Sequence, residues 1–289
     1  MNYRHQYHAG NFADVMKHVM LVRLFAALQR KEKGFLYLDT HAGRGSYDLA
    51  AAAKGDSLVR EPEHPLGIGR LWDRSDFPEE IAAYVGLVRS FDRERGNLGG
   101  PPRFYPGSPW IARRLARPQD RIVLCERHEG EAELLDIEFG RESRVRVEAM
   151  DGYGAPRAML PPIERRALVL IDPPFESEDE FARIATAVGE GLARLPSAVF
   201  AIWYPLTERA RVDAFFSELL ALKLPPALEL ELTVAGERSV RKLKGCGVVV
   251  INPPWGFEAQ AARILDWLAP VLAQEPGGSG RIRWLVPGK

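Results

Sequence analysis

The stretch Phe35-Leu36-Tyr37-Leu38-Asp39-Thr40-His41-Ala42-Gly43-Arg44-Gly45 decides the fold class. A short apolar run ends on a carboxylate and breaks at once into a turn carrying two glycines. That is the pattern of a buried strand entering a sharp bend. Glycines at such a bend let the chain reverse and let backbone N–H groups approach a ligand. The turn holds G-x-G without the third glycine of a dinucleotide fingerprint, which disfavours a nicotinamide oxidoreductase.

Outward from this strand, similar apolar runs recur at 121–126, 144–149, 167–172, 198–204, 227–234 and 246–252, with a last one at 281–286. Helical spacing fits between them at 129–139, 178–195, 208–222 and 257–272. Repeated strand–helix units with near-continuous apolar strands predict an α/β protein with a mainly parallel sheet covered on both faces. The first thirty residues read as a long amphipathic helix, with Val15, Val19 and Val22 in one row and Gly34 as its C-cap. The rhythm breaks at 48–104, where pieces such as 81–91 read as helix and 96–102 as loop. This predicts a helical insertion of roughly 55 residues, too small for a core of its own. The expected organisation is one domain over 1–289, with an N-terminal helical motif at 1–33 and the insertion at 48–104.

Composition narrows the class. The 289 residues balance 39 Lys and Arg against 39 Asp and Glu, with 46% hydrophobic and 27% charged residues. Such a chain is neither disordered nor a disulfide scaffold, and it cannot grip nucleic acid by bulk positive charge. The polar start Met1-Asn2-Tyr3-Arg4-His5-Gln6-Tyr7-His8 lacks the apolar core of a signal peptide. No run of about 18 apolar residues is present to cross a bilayer. Cys125 and Cys246 sit in strand-like runs without CxxC spacing, as core thiols of a reducing compartment do. A cytoplasmic, metal-free monomer is the expectation.

In open parallel sheets ligands bind beyond the C-terminal strand ends, so strand-end residues carry the functional information. The second strand ends at Glu126, an acceptor for both hydroxyls of a ribose. The third ends at Asp151-Gly152, a carboxylate for an exocyclic amine followed by a residue that leaves room for a ring. The fourth ends in Asp172-Pro173-Pro174-Phe175. Prolines have no N–H to donate, so an amino group on a planar base finds two acceptors, the Asp172 carboxylate and the Pro173 carbonyl. Phe175 offers a face for stacking. Five Pro–Pro pairs occur, at 101, 161, 173, 225 and 253, so the pair alone means nothing. Asn252-Pro253-Pro254-Trp255 has the same shape but follows two further strands, and it reads as a structural turn.

The order of glycine turn, acidic strand end, Asp-Gly and D-P-P-F resembles S-adenosylmethionine-dependent amino-methyltransferases. Further motifs sharpen the likeness. They are Tyr3-Arg4-His5 with His8-Ala9-Gly10-Asn11, Ala13-Asp14-Val15 and Lys17-His18; Tyr37 to Gly43; Tyr105-Pro106-Gly107-Ser108-Pro109; Leu170 to Pro174; Trp203-Tyr204-Pro205; and Asn252 to Trp255. Together they resemble the RlmJ family of large-subunit ribosomal RNA methyltransferases over nearly the whole chain. The resemblance implies a Rossmann-like methyltransferase fold with a mainly parallel seven-stranded sheet. It implies S-adenosylmethionine as cofactor, 23S ribosomal RNA as partner, and methylation of N6 of an adenine flipped into the D-P-P-F pocket. It makes Asp172 the catalytic acidic residue. It places His18, His41, Ser108, Glu126, Asp151 and Gly152 at the cofactor, and Tyr3, Pro173 and Phe175 at the substrate. Ser108 before Pro109 also reads as a helix N-cap. Phe175 stands where the family pattern has Tyr, so any role of that hydroxyl is absent here. A guanine-N2 methyltransferase uses the same D-P-P-F geometry and stays open, as does a non-catalytic RNA-binding protein with a degenerate nucleotide fold. A DNA adenine methyltransferase is disfavoured by the small insertion.

Charge is unevenly spread. Residues 1–33 carry a net of +4, 108–121 and 237–244 each +3, and 176–190 a net of −4. The three basic stretches are expected to face RNA phosphates, with the acids after Phe175 turned elsewhere.

Overall fold

The computed structural model describes residues 7–52 and 61–288. Tyr3 lies outside them. The chain enters through α1 (Phe12–Leu28) into β1 (Leu36–Asp39), then passes β2 (Ser46–Asp48), α2 (Leu49–Ala52), α3 (Gly69–Trp72), α4 (Glu79–Glu94), β3 (Phe104–Pro106) and α5 (Ser108–Leu115). Regular strand–helix alternation follows: β4 (Arg121–Glu126), α6 (Glu129–Phe139), β5 (Val145–Ala149), α7 (Ala155–Met159), β6 (Ala167–Ile171), α8 (Glu180–Arg194), β7 (Val199–Leu206) and α9 (Arg209–Ala221). The last elements are β8 (Ala227–Thr233), β9 (Gly245–Ile251), α10 (Phe257–Leu272) and β10 (Ser279–Val286).

The main sheet has the order β10-β8-β9-β7-β6-β1-β4-β5. It has eight strands where seven were expected, because β10 adds to the edge by pairing antiparallel with β8. Strand β9 also runs antiparallel, between β7 and β8, while β5, β4, β1, β6 and β7 are mutually parallel. Strand β1 is flanked by β4 on one side and β6 on the other. The chain therefore reverses its direction of travel across the sheet at β1, and a crevice opens there above the strand ends.

Helices cover both faces. Along β1, Tyr37 joins the core under α1, α4, α5 and α10, while Leu36 and Leu38 join the core under α8 and α9. That alternation follows from the two-residue period of a strand. The expected insertion is continuous with the first core, since Ile81, Tyr84, Val88 and Phe91 of α4 pack with the apolar residues of α1. Its two ends meet as the short antiparallel pair β2–β3. Buried Asp92 holds the exit by accepting from the N–H groups of Arg103 (3.1 Å) and Phe104 (2.7 Å).

Helix α1 departs from its expected amphipathic form. Asp14, Lys17 and His18 are buried along with its apolar residues. Its Asn11 cap accepts from the N–H groups of Ala13 and Asp14, each at 2.9 Å. It ends at Leu28, so Gly34 is not its C-cap. A Cβ at Gly34 would instead collide with the Gln119 carbonyl, so close approach is what requires glycine there. Both cysteines are buried and free.

Candidate active site

Above the C-terminal ends of β1, β4, β5 and β6 lies a cavity of about 890 Å³. Every expected site residue within the described range lines it: His18, His41, Ser108, Glu126, Asp151, Gly152, Asp172, Pro173 and Phe175. The cavity brings them together from six elements, which is what a switch-point crevice does.

The turn after β1 is built as its glycines suggest. Gly43 and Gly45 sit at φ 59° and 83°, in the left-handed region that glycine reaches without penalty. The Gly43 N–H donates to Glu126 Oε2 at 2.8 Å, and the His128 N–H to Glu126 Oε1 at 2.7 Å. Two backbone donors thus aim the carboxylate along the cavity wall. Arg44, on the same turn, forks onto Glu131 of α6 at 2.5 and 2.7 Å and clamps the turn.

His41 is partly open to the cavity. Desolvation pushes its pKa down to about 3, so its imidazole is neutral at pH 7. Its tautomer follows from Thr40. The Thr40 hydroxyl donates its single proton to the Leu170 carbonyl at 3.0 Å, so toward His41 Nδ1 at 2.8 Å it can only accept. The proton is then on Nδ1, and Nε2 is an acceptor.

The β6 end carries a device the D-P-P-F motif alone does not reveal. The ammonium of Lys17, from the middle of α1, bonds Asp172 Oδ2 and also Asp14 Oδ1 at 2.7 Å. Lys17 is 5% exposed. Burial alone would lower its pKa, but the charges and hydrogen bonds of Asp14 and Asp172 outweigh burial and raise it. Phe175 takes φ 52°, unusual for a residue with a Cβ, and its ring meets Trp203 at 5.6 Å and Phe181 at 5.0 Å. The surrounding aromatic packing holds the ring in this strained turn.

Beneath the floor, Asp39 is fully buried. Burial raises its pKa to about 6 against the opposing hydrogen bonds of Ser108 and Tyr37, the latter at 2.8 Å. Ser108 is therefore not an N-cap. It is the first residue of α5, Gly107 takes the cap position, and the Ser108 hydroxyl serves Asp39. Gly152 also differs from its expected reason: a Cβ there would collide with the Thr40 carbonyl, so it makes room for the neighbouring strand end. Asp151 caps the turn at 152–154, accepting from Tyr153 N at 3.2 Å, and pairs with Arg183 at 2.5 Å.

Asn252-Pro253-Pro254-Trp255 is remote from the cavity, as expected of a structural turn. Because β9 runs antiparallel, its C-terminal end falls at the opposite edge of the sheet. There Asn252 Nδ2 donates to the carbonyls of Pro196 and Ala198 at 2.8 and 2.9 Å. Lys17 and Asp39 are the site residues that sequence reasoning missed. Both stood inside quoted motifs, but only contacts between α1, β1 and β6 give them a role.

The charge expectation needs correction in two places. The 108–121 arginines sit toward the opposite sheet edge, where β4 begins, and are spent on ion pairs: Arg114–Glu94 at 3.3 Å, Arg117–Asp120 at 3.0 Å and Arg121–Glu164 at 2.6 Å. The acids after Phe175 are not turned away, since Glu176 and Glu180 line the cavity. The 237–244 stretch does reach the cavity, through Lys242 and Leu243.

A family model described as "Ribosomal RNA large subunit methyltransferase D, RlmJ" matches residues 32–286. The chain belongs to this family. Ribosomal RNA large subunit methyltransferase J of Escherichia coli is 40% identical over 99% of both chains, and that of Haemophilus influenzae is 41% identical over 99% of both. The crystal structure of protein LPL1258 from Legionella pneumophila superposes with a TM-score of 0.83 at 33% identity, covering 96% of this chain and 97% of that one. The methyltransferase fold and the RlmJ membership read from the motifs are thus borne out. Among the described residues no helix is long and apolar enough to cross a membrane.

Proposed function

We propose that this protein transfers a methyl group from S-adenosylmethionine to the exocyclic N6 amine of a specific adenine in 23S ribosomal RNA. The carrying observation is the Lys17–Asp172 pair beside Pro173 and Phe175, set in one cavity with the glycine turn and Glu126. The cavity's donor set fits the cofactor. His41 Nε2 is an acceptor suited to an ammonium, Glu126 is aimed to accept from two ribose hydroxyls, and Asp151 suits an adenine amine. His18 and Ser108 complete that wall. The bound cofactor supplies an electrophilic methyl on a sulfonium.

The chain's own residues do the rest. The target adenine leaves its stack to reach the cavity, as bases must for chemistry on their exocyclic groups. Phe175 stacks on it, and the Pro173 carbonyl accepts one amine hydrogen. Asp172 accepts the other through Oδ1, because Lys17 holds Oδ2. With both hydrogens held, the nitrogen lone pair points away from them toward the incoming methyl carbon. As the N–CH3 bond forms, the sulfonium S–CH3 bond would break with its electron pair left on sulfur, giving S-adenosylhomocysteine. The nitrogen becomes cationic, and the Asp172 carboxylate stabilises that charge until the proton passes to solvent. Lys17 fixes the carboxylate's orientation, and the family resemblance assigns Tyr3, outside the described residues, to the RNA substrate. Residues 1–289 act as one cytoplasmic, monomeric methyltransferase unit, with 1–33 and 48–104 as its helical additions. Asp172→Ala is expected to abolish methyl transfer and leave calorimetric binding of S-adenosylhomocysteine within about threefold, since the loss is one of transition-state stabilisation. Full activity in that variant would contradict the mechanism.

A further inference from the structure

One corner of the cavity takes no part in the transfer chemistry. Glu180, the first residue of α8, is 5% exposed, and its Oε2 has no hydrogen-bond partner. The hydroxyl of Tyr153, on the turn after β5, is likewise buried without a partner. Both residues line the cavity, and the Glu180 charge acts on the titration of the Tyr153 hydroxyl. A buried polar atom left unpaired costs about 1–3 kcal/mol, so two of them at one cavity call for a ligand that pairs them.

We propose that Glu180 and Tyr153 form the hydrogen-bonding end of an adenine subsite in this cavity. Three observations point to a nucleobase edge. The two groups offer a donor and an acceptor in one corner, which matches the N1 acceptor and N6 donor of adenine. Arg183, one helical turn beyond Glu180 on the same face of α8, bonds Asp151 Oδ2 at 2.5 Å and stacks over the Tyr153 ring at 4.0 Å. That pair ties the corner to the Asp151–Gly152 end of the cavity. The Tyr153 ring also meets His41 edge-on at 4.8 Å, so the corner is continuous with the rest of the wall. Burial holds the Glu180 carboxyl up, to about 7, which favours the neutral acid that can donate as well as accept. The inference rests on the cavity being the methyltransferase site, and two adenines enter that site: the cofactor's and the target's.

The test is calorimetric titration of the full chain with S-adenosylhomocysteine, paired with equilibrium binding of the RNA substrate in the presence of saturating S-adenosylhomocysteine. Tyr153→Phe removes only the unpartnered hydroxyl, and Glu180→Gln keeps an uncharged donor and acceptor. Tyr153→Phe and Glu180→Ala are each expected to weaken one adenine ligand roughly tenfold while Glu180→Gln stays near wild type, the loss of one buried hydrogen bond. Loss confined to S-adenosylhomocysteine assigns the subsite to the cofactor's adenine, and loss confined to RNA assigns it to the target. Thermal unfolding should show no destabilisation by Tyr153→Phe, because the folded protein loses no hydrogen bond. Unchanged affinity for both ligands in Tyr153→Phe and Glu180→Ala would overturn the inference. Wild-type protein that fails to bind S-adenosylhomocysteine would overturn the proposed function itself, a separate result.

Discussion

Asp172 and Glu126 were legible in the sequence because each ends an apolar run, and parallel strands deliver their C-terminal residues to one edge. Lys17 was not, because a lysine midway along an apolar helix has no address until α1 is laid across β1 and β6. Its removal takes the shared cation from buried Asp14 and half-buried Asp172, while Asp14 keeps the Gly10 N–H at 2.9 Å. Lys17→Ala is therefore expected to cost about 3 kcal/mol in denaturant unfolding, in the range for breaking a buried ion pair, and to lower the transfer rate. Asp39 makes a pH prediction. Its folded pKa, about 6, lies above the ordinary 3.8, so the wild type loses stability as pH rises through that window and does not regain it above. Asp39→Asn, which cannot ionise, should then gain on the wild type by roughly 2 kcal/mol more at about pH 8 than at about pH 4. Thermal unfolding of both proteins across the window checks the sign; a gain that shrinks with rising pH would refute it.

At the scale of elements, strand and helix positions followed from periodicity, and three departures have physical causes. Helix α1 read as amphipathic because polar Asp14, Lys17 and His18 interrupt its apolar rows; they too are buried, since they face the cavity and its aromatic wall. Strand β10, the apolar run read at 281–286, pairs with β8 as an eighth strand where the resemblance implied seven, and so covers an edge that β8 would otherwise leave unpaired. Ser108 does not cap because it is already the first residue of α5, one position beyond the cap Gly107, with its hydroxyl directed to Asp39. The N-terminus of α1 is set by Asn11, whose side chain also reaches Glu63 Oε2 at 2.8 Å. Asn11→Ala is expected to cost about 1–2 kcal/mol and, by loosening the first turn of α1, whose Asp14 holds Lys17, to lower activity more than an equally destabilising change elsewhere. Comparing its transfer rate with that of a stability-matched surface variant checks this.

For the whole molecule, a balance of 39 basic against 39 acidic residues leaves RNA binding to the placement of charge. Placement was the least legible property, because an arginine's sequence position does not say whether a carboxylate waits across the fold. The 108–121 arginines are spent on such partners, whereas exposed Lys242 stands at the cavity rim. Lys242→Ala should weaken RNA binding and flatten its dependence on the logarithm of salt concentration by about 0.7–0.9 for each phosphate it no longer neutralises, while Arg114→Ala leaves that slope unchanged. Equal slopes for the two variants would count against the rim as the RNA face. The central claim is the identity of the methylated atom. It is tested most directly by incubating unmodified 23S ribosomal RNA with the protein and isotopically labelled S-adenosylmethionine, digesting to nucleosides, and measuring where the label resides by mass spectrometry. Label in N6-methyladenosine, absent with Asp172→Ala, is the expected result; label in N2-methylguanosine with none in N6-methyladenosine would contradict the account.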